Sequence, residues 1–334
     1  MKKLNKISKI FTLLLLLVIT AAQGQAVNSN ERDLEALQAE FLSWKFGMFL
    51  HYNMGTYAGV EWSDGKEDPL IFNPTDLNCG QWADAAAAAK MKYAILTVKH
   101  TGGWCLWNSD YTDHDMGMFK NYKGGKGDIV QEFTEAFRSR GLKVGLYYCF
   151  PLHDPKWAEY STLPVENYEK GTADALSFIK GQFKELLTNY GKIDILWVDQ
   201  FASLNGGLKK GDWLVIKNYV HSLQPACIVI ANNAKWLSMT DIAGYEYPWS
   251  KTLPPEENTV PSEVCDKLQQ GWFSSVPLGE DSDPIIDADY IVNKMLIPMN
   301  ARNSTYLLNC APNSKGLLPE SVVGVLAEVG EIWE

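Results

Sequence analysis

The sequence predicts an α/β chain folded as a (β/α)8-type (TIM-like) barrel, and three observations support this prediction. Short apolar segments alternate with longer amphipathic segments along most of the 334 residues. The short segments are apolar without interruption, which is typical of parallel strands buried on both faces. No G-x-G-x-x-G motif follows the first of them, so a doubly wound dinucleotide-binding sheet is disfavoured. Repeated strand–helix units over this length favour a closed barrel.

Six segments are predicted to be strands and six to be helices. The strands are expected at residues 46–51, 93–98, 144–149, 193–198, 227–231 and 305–308. The helices are expected at residues 81–91, 128–140, 172–190, 213–223, 288–300 and 319–332. Gly141, Gly191 and Pro225 stand where three of these helices end and a strand follows, as helix ends commonly require.

Residues 1–24 are predicted to be a cleavable signal peptide, which would direct the protein to the periplasm or out of the cell. Four lysines precede an apolar stretch at residues 10–22, and small residues follow where a signal peptidase would cut. The stretch is too short for a membrane-spanning helix, and no cysteine lies at the expected cleavage position to receive a lipid anchor. We therefore expect an exported protein that does not insert into a membrane.

The composition narrows the class of ligand. A formal net charge of −10 argues against binding to nucleic acid or to anionic membrane surfaces. The six cysteines are scattered and show no C-x-x-C spacing, so we expect buried thiols in place of disulfides or a metal site. The chain also contains 12 tryptophans. Sugar rings stack their C–H faces on indoles, so this content suggests a carbohydrate ligand, with a tryptophan-rich core as the alternative.

Polar or aromatic residues stand at the carboxyl ends of five predicted strands. In chain order they are His51, Lys99 and His100, Tyr147 and Tyr148, Trp197 and Asp199, and Asn232 and Asn233. Barrel enzymes place their chemistry at this end of the strands. The sequence therefore predicts one pocket that is lined by these residues.

Two carboxylates are the candidate catalytic groups. Asp199 ends a buried strand two residues after Trp197, and the period of two places both side chains on one side of that strand. Glu246 lies between two tyrosines, and aromatic surroundings would raise its pKa as a general acid requires. Asp241 and Glu263 are rivals in the same region. Two carboxylates in an aromatic pocket fit the requirements of glycoside hydrolysis.

Five segments, in the same order along the chain, resemble the α-L-fucosidases of glycoside hydrolase family 29. They are KFGMFLHYNMGTYAGVEW (45–62), YAILTVKHTGGWCLWNSDYT (93–112), GDIVQEFTEAFRSRGLKVGLYYCF (127–150), IDILWVDQ (193–200) and YLLNCAPNSKGLLPE (306–320). The resemblance implies that residues 25–334 form a glycoside hydrolase catalytic domain. Members of the family commonly continue into a C-terminal β-sandwich, and we expect this chain to be without it.

The resemblance also implies roles for single residues. Asp199 corresponds to the nucleophile of a retaining, exo-acting enzyme, and Glu246 is preferred over Glu263 as the acid/base. The sugar-binding groups correspond to His51, Glu61, Trp62, His100, Trp197 and one tyrosine of the adjacent pair Tyr147 and Tyr148, of which Tyr148 is preferred. The implied substrate is a fucosylated oligosaccharide or glycoconjugate with terminal α-L-fucose. Neither a cofactor nor a metal is implied.

Two departures from the family pattern concern sugar contacts. The family has two consecutive histidines after the lysine of the second strand, and Thr101 replaces the second of them. A family arginine after the fifth strand has no counterpart, since Ala234 or Lys235 occupies its place. An α-L-galactosidase is therefore one alternative, because an apolar pocket rejects an added hydroxyl by only about 100-fold. A sugar-binding protein without catalysis is the other.

Overall fold

The computed structural model describes residues 32–119, 122–150, 168–200, 210–274, 277 and 279–333, and the predicted signal peptide lies outside these ranges. Eight parallel strands pair in chain order and close into a barrel, with the first strand paired to the last. The strands are β1 (Phe46–Leu50), β2 (Tyr93–Lys99), β3 (Lys143–Cys149), β4 (Ile195–Asp199), β5 (Ile228–Ala231), β6 (Ile242–Glu246), β7 (Ser262–Lys267) and β8 (Ser304–Asn309). The predicted fold class is confirmed.

The six predicted strands correspond to β1–β5 and β8, whereas β6 and β7 were not predicted. Their sequences, IAGYE and SEVCDK, are not continuous apolar runs. In β7 three polar side chains, those of Ser262, Glu263 and Asp266, are nevertheless buried. Hydrogen bonds compensate this burial, for example from the Tyr306 hydroxyl to Asp266 Oδ2 at 3.1 Å. A buried strand of this kind has no apolar signature in the sequence.

The α-helices cover the outside of the barrel or lie in its loops. Within the described residues they are α1 (Leu34–Trp44), α2 (Met54–Ala58), α3 (Cys79–Ala88), α4 (Ile129–Ser139), α5 (Tyr168–Thr188), α6 (Lys210–Leu223), α7 (Tyr247–Ser250), α8 (Ile297–Ala301) and α9 (Glu320–Ile332). The predicted helix at residues 288–300 is instead a π-helix, Tyr290–Leu296, that continues into α8. Pro298 lacks the N–H that would donate to the preceding turn, which is consistent with this irregularity.

The six cysteines are all buried and free, as expected. Within the described ranges, none of the helices has both the length and the apolar character needed to cross a membrane.

Aromatic side chains fill the inside of the barrel, and a small residue makes room for one of them. Tyr93 of β2 is fully buried. Its side chain extends across the barrel interior, where the hydroxyl donates a hydrogen bond to Glu263 Oε2 of β7 at 2.6 Å. Gly47 of β1 lies beside the Tyr93 ring, and a Cβ at this position would come within 2.3 Å of Tyr93 Cζ. The barrel interior therefore depends on the absence of a side chain at position 47.

Replacing Gly47 by alanine is expected to lower the free energy of unfolding by about 1–3 kcal/mol, because the added methyl group overlaps the buried Tyr93 ring. Chemical denaturation measures the change. Gly324→Ala in α9 is the matched control, since a Cβ there meets nothing within 4 Å and alanine favours the helix. Equal stability of the Gly47→Ala variant and the wild type would contradict the packing argument.

Candidate active site

A cavity of about 480 Å³ opens at the carboxyl ends of the strands. Seven of the eight site residues that were predicted from the sequence line it: His51, Glu61, Trp62, His100, Trp197, Asp199 and Glu246. They lie at or directly after the carboxyl ends of β1, β2, β4 and β6 and in the loop after α2, so the barrel brings together residues that are far apart in the sequence.

The preference for Tyr148 is wrong, since the structure places Tyr147 at the cavity. Tyr148 is fully buried on the outer side of β3, where its hydroxyl donates to Gln182 Oε1 of α5 at 2.7 Å. Lys99 Nζ lies 3.3 Å from the same hydroxyl. Consecutive residues of a strand face opposite sides, so only one of the two tyrosines can face the barrel interior.

The carboxylates of Asp199 and Glu246 are linked by one amide group. Asn232 Nδ2 donates to Asp199 Oδ1 at 3.0 Å and to Glu246 Oε2 at 2.9 Å. These two oxygens therefore lie at most about 6 Å apart, a limit that includes the roughly 5–5.5 Å separation of the carboxyl groups in retaining glycosidases. Asn232 directly follows β5, which lies between the strands that end in the two carboxylates.

Two further donors hold Asp199. The Tyr147 hydroxyl donates to Asp199 Oδ2 at 2.9 Å, and the backbone N–H of Gln200 donates to Asp199 Oδ1 at 2.7 Å. Gln200 has a positive φ of 57°, which is uncommon for a residue other than glycine and is often found at functional sites. Together with Asn232, these donors fix the orientation of the Asp199 carboxylate at the end of β4.

Glu246 has a different environment. Burial raises its pKa, and the nearby negative charge of Asp199 raises it further. Hydrogen bonds from Asn232 and from Asn233 Nδ2, the latter at 3.0 Å, oppose this shift in part. A carboxyl group with a raised pKa retains its proton to higher pH, as a general acid must.

The rival carboxylates do not line the cavity. Glu263 is only 2% exposed; besides the Tyr93 hydrogen bond it accepts one from Trp197 Nε1 at 2.9 Å. Its burial raises its pKa to about 7. Asp241 is buried between α6 and β5, where it forms an ion pair with Lys217 at 2.9 Å and lies 3.1 Å from His221 Nε2. Both are therefore held by contacts inside the protein.

The two histidines of the cavity are neutral hydrogen-bonding groups. Burial lowers the pKa of His51 well below its usual range and that of His100 to about 3. His51 Nδ1 lies 2.7 Å from Asn309 Oδ1, and Asn309 Nδ2 donates to the Trp272 carbonyl at 2.8 Å. This chain of contacts sets the proton on Nδ1 and makes Nε2 of His51 an acceptor.

Glu61 and Trp62 come from the loop that follows α2. The Glu61 carboxylate accepts a hydrogen bond from the Trp272 backbone N–H, with its oxygens 2.9 and 3.0 Å from the nitrogen. Burial raises the pKa of Glu61. Thr101 also supports this loop, since its hydroxyl donates to the Ser63 carbonyl at 3.0 Å. Thr101 does not line the cavity.

The structure also places residues at the cavity that sequence reasoning missed. Phe49, Cys265 and Trp272 are among them. Cys265 belongs to β7, and Trp272 lies in the segment after it. The sequence of β7 is too polar to be recognised as a buried strand, so neither residue was predicted to lie at the cavity. Neither Ala234 nor Lys235 lines the cavity, so neither residue takes the place of the family arginine at the cavity wall. Lys235 Nζ instead lies 3.2 Å from the centre of the Tyr245 ring.

Among the residues that the structure describes, no group of three or more His, Cys, Asp or Glu side chains is arranged to hold a metal ion.

Comparisons with known proteins agree on one family. A family model described as Alpha-L-fucosidase matches residues 60–333. The chain is similar to Alpha-L-fucosidase 1 of Arabidopsis thaliana, with 31% identity over 320 residues that cover 87% of this chain and 59% of that protein. The chain thus spans less than two thirds of that relative's length.

Solved structures are similar as well. One is alpha-L-fucosidase isoenzyme 1 from Paenibacillus thiaminolyticus, with a TM-score of 0.71, 28% identity, and coverage of 89% of this chain and 75% of that chain. Another is a glycoside hydrolase 29 family member from an unknown rumen bacterium, with a TM-score of 0.66, 25% identity, and coverage of 88% and 56%.

Replacing Glu263 by glutamine is expected to change how stability depends on pH. The pKa of Glu263 is about 7 in the folded protein and near 4.5 when the group is exposed, so folding favours the protonated form. The stabilisation is complete below pH 4.5 and is lost as the pH rises through 7. Glutamine resembles the protonated acid at every pH. Between pH 4.5 and pH 7 the free energy of unfolding of the wild type should therefore fall by on the order of 3 kcal/mol relative to that of the variant.

Denaturant unfolding of both proteins at several pH values measures this difference, and groups common to the two cancel in the comparison. A difference in the free energy of unfolding that stays constant between pH 4 and pH 8 would show that folding does not shift the pKa of Glu263, which would contradict the prediction.

Proposed function

Because the chain belongs to the alpha-L-fucosidase family, glycoside hydrolase family 29, we propose that it is an exo-acting, retaining α-L-fucosidase that removes terminal α-L-fucose from glycans. The observation that supports this most strongly is the pair of carboxylates, Asp199 and Glu246, which share the Asn232 amide within one cavity. The two groups have environments that suit two different roles.

In the first step, an oxygen of Asp199 attacks the anomeric carbon of fucose. Glu246 gives its proton to the glycosidic oxygen as the bond from that oxygen to the anomeric carbon breaks, and the leaving group departs as an alcohol. The product is fucose bound to Asp199 as an ester. In the second step, Glu246 takes a proton from a water molecule, whose oxygen displaces Asp199. Two inversions at the anomeric carbon restore its original configuration.

Three groups of the cavity suit the hydroxyls of the sugar ring. His51 and His100 are neutral, and His51, whose Nδ1 proton is donated to Asn309, offers Nε2 as an acceptor to a sugar hydroxyl. Glu61, held by the Trp272 backbone, provides acceptor oxygens. Such hydrogen bonds accelerate the reaction when they strengthen in the oxocarbenium-like transition state.

The remaining wall is apolar, which suits a 6-deoxy sugar. Phe49 and Trp197 pack edge to face with ring centroids 5.2 Å apart, and Tyr147 stacks on Trp197 at 5.3 Å. These buried rings close the inner end of the cavity, which supports binding of a terminal sugar in place of an internal one. Fucose has a methyl group where galactose has a hydroxymethyl group, so an apolar wall favours fucose.

We also propose that residues 1–24 direct export and are cleaved, so that the enzyme acts in the periplasm or outside the cell. The lysines and the apolar stretch in these residues support this proposal. N-terminal sequencing of the protein purified from an exporting bacterial host tests it. A purified protein that begins at Met1 and remains in the cytoplasm would contradict it.

Replacing Asp199 by asparagine is expected to lower kcat for an aryl α-L-fucoside at least about a thousandfold, because the nucleophile is lost. In Asp199→Gly, azide should restore turnover and give a fucosyl azide of inverted configuration, since azide can enter the space that the carboxylate left. Thermal unfolding serves as the control for folding. The same assays with an aryl α-L-galactoside test the alternative sugar. If Asp199→Asn folds and keeps most of its activity, Asp199 is not the nucleophile.

The pH profile is expected to identify Glu246 as the acid. Because the pKa of Glu246 is raised, kcat/KM should stay high at mildly acidic pH and fall as the pH rises through that pKa and the proton is lost. Glu246→Gln should remove this basic limb and reduce turnover far more for a poor leaving group than for a nitrophenyl group. Glu263→Gln should leave the limb in place. If Glu263→Gln removes the limb and Glu246→Gln retains it, the assignment of the acid is wrong.

A further inference from the structure

A groove leads away from the catalytic cavity along α7. The cavity shares Glu61, Trp62, Trp249 and Trp272 with a second cavity of about 360 Å³. That cavity in turn shares Pro248, Lys267 and Gln270 with a third of about 300 Å³. Each cavity adjoins the next, so we describe the second and third as the near section and the far section of one groove that begins at the catalytic cavity.

The groove lies on the side where the leaving group must be. This step rests on the proposed function, in which Glu246 protonates the glycosidic oxygen. The helix α7 begins directly after Glu246 and ends at Ser250, and the backbone N–H of the next residue, Lys251, caps it. Pro248 and Trp249 of this helix line the near section. A leaving group whose oxygen contacts Glu246 therefore extends along α7 and not toward the barrel interior.

The near section has two exposed indoles. Trp62 is 57% exposed and Trp249 is 73% exposed, and their rings pack edge to face with centroids 6.4 Å apart. Large aromatic rings that remain this exposed beside a cavity are typical of a surface that a ligand covers. A pyranose ring can place its C–H face against an indole in the way that apolar groups do.

The far section has an excess of positive charge. Lys251 and Lys267 line it together with one carboxylate, Asp266. Asp266 is buried and accepts hydrogen bonds from Tyr306 and from the Lys267 backbone N–H, the latter at 2.8 Å. Lys267 Nζ donates to the Gln270 carbonyl at 2.6 Å, and Lys251 Nζ lies 5.1 Å from the centre of the Tyr247 ring. These contacts place both ammonium groups at the groove in a chain of formal net charge −10.

We propose that the groove binds an acidic leaving group: a fucosylated oligosaccharide whose first sugar stacks on Trp62 and Trp249, and in which a sulfate or carboxylate on a following sugar is bound by Lys251 and Lys267. The two lysines exceed the single carboxylate of the far section by one positive charge, which matches one such anion. Neutral glycans of the same length lack this contact and bind less tightly.

A set of three synthetic substrates tests the proposal without knowledge of the natural linkage. Each is an α-L-fucoside of the same phenol, and the phenyl ring bears the same flexible chain ending in a sulfate ester, a carboxylate or a hydroxyl group. The chemistry of the breaking bond is then equal in all three. We expect kcat/KM for one or both anionic substrates to exceed that of the hydroxyl substrate roughly two- to fivefold at low salt, as expected for partly exposed ion pairs. The comparison of the two anions distinguishes sulfate from carboxylate.

Lys251→Gln should remove most of this advantage and leave turnover of the hydroxyl substrate unchanged, and added salt should reduce the advantage in the wild type. Lys92→Gln is the matched control, because Lys92 is an exposed lysine just before β2, at the opposite end of the barrel. Equal kcat/KM for all three substrates, or equal losses in the two lysine variants, would overturn the acidic-ligand proposal alone. Turnover of none of the substrates would overturn the proposed function itself.

Discussion

One amide nitrogen, Asn232 Nδ2, donates to both carboxylates of the cavity, and the chemistry of the site depends on this contact. Two carboxylates this close repel each other, and burial increases the repulsion. The shared donor reduces it, and the raised pKa of Glu246 removes it when that group is protonated. Asp199 has two further donors and Glu246 is desolvated, so the environments give the two acids separate roles.

The barrel fixes this arrangement through strand order. β4, β5 and β6 are neighbours, and their carboxyl ends bring Asp199, Asn232 and Glu246 to one edge. The backbone N–H of Asn232 donates to the Val198 carbonyl at 2.8 Å, which ties Asn232 to the residue before the nucleophile. Deeper in the barrel, the Trp197 indole N–H and the Tyr93 hydroxyl both donate hydrogen bonds to the Glu263 carboxylate. The catalytic edge is therefore built on a buried hydrogen-bond network inside the barrel.

Residue patterns predicted the fold and much of the cavity, because the apolar strands end in polar residues. They did not predict the strands in which polar side chains are buried or half-buried. In β7 the buried side chains include polar ones that no apolar pattern reveals, so Trp272, which follows that strand, was missed. β6 ends in two half-buried residues, Tyr245 and Glu246, and is not a continuous apolar run either. The choice between Tyr147 and Tyr148 was also wrong. Both sides of β3 are buried, so burial does not distinguish the two tyrosines. The register that pairs Tyr147 with Trp197 cannot be predicted from the identity of either residue. Thr101 replaces a family histidine, yet it contacts the Ser63 carbonyl and supports the loop that bears Glu61.

The central claim is that Asp199 and Glu246 act as nucleophile and acid on the two sides of one bond. A fucosyl fluoride with fluorine in place of the 2-hydroxyl group tests it most directly, because the fluorine slows the second step and the ester on the enzyme accumulates. Mass spectrometry of the digested protein should find the sugar on Asp199 in the wild type, with no adduct in Asp199→Asn. An adduct on Glu246, Glu263 or another carboxylate would contradict the account, as would hydrolysis that releases fucose of inverted configuration.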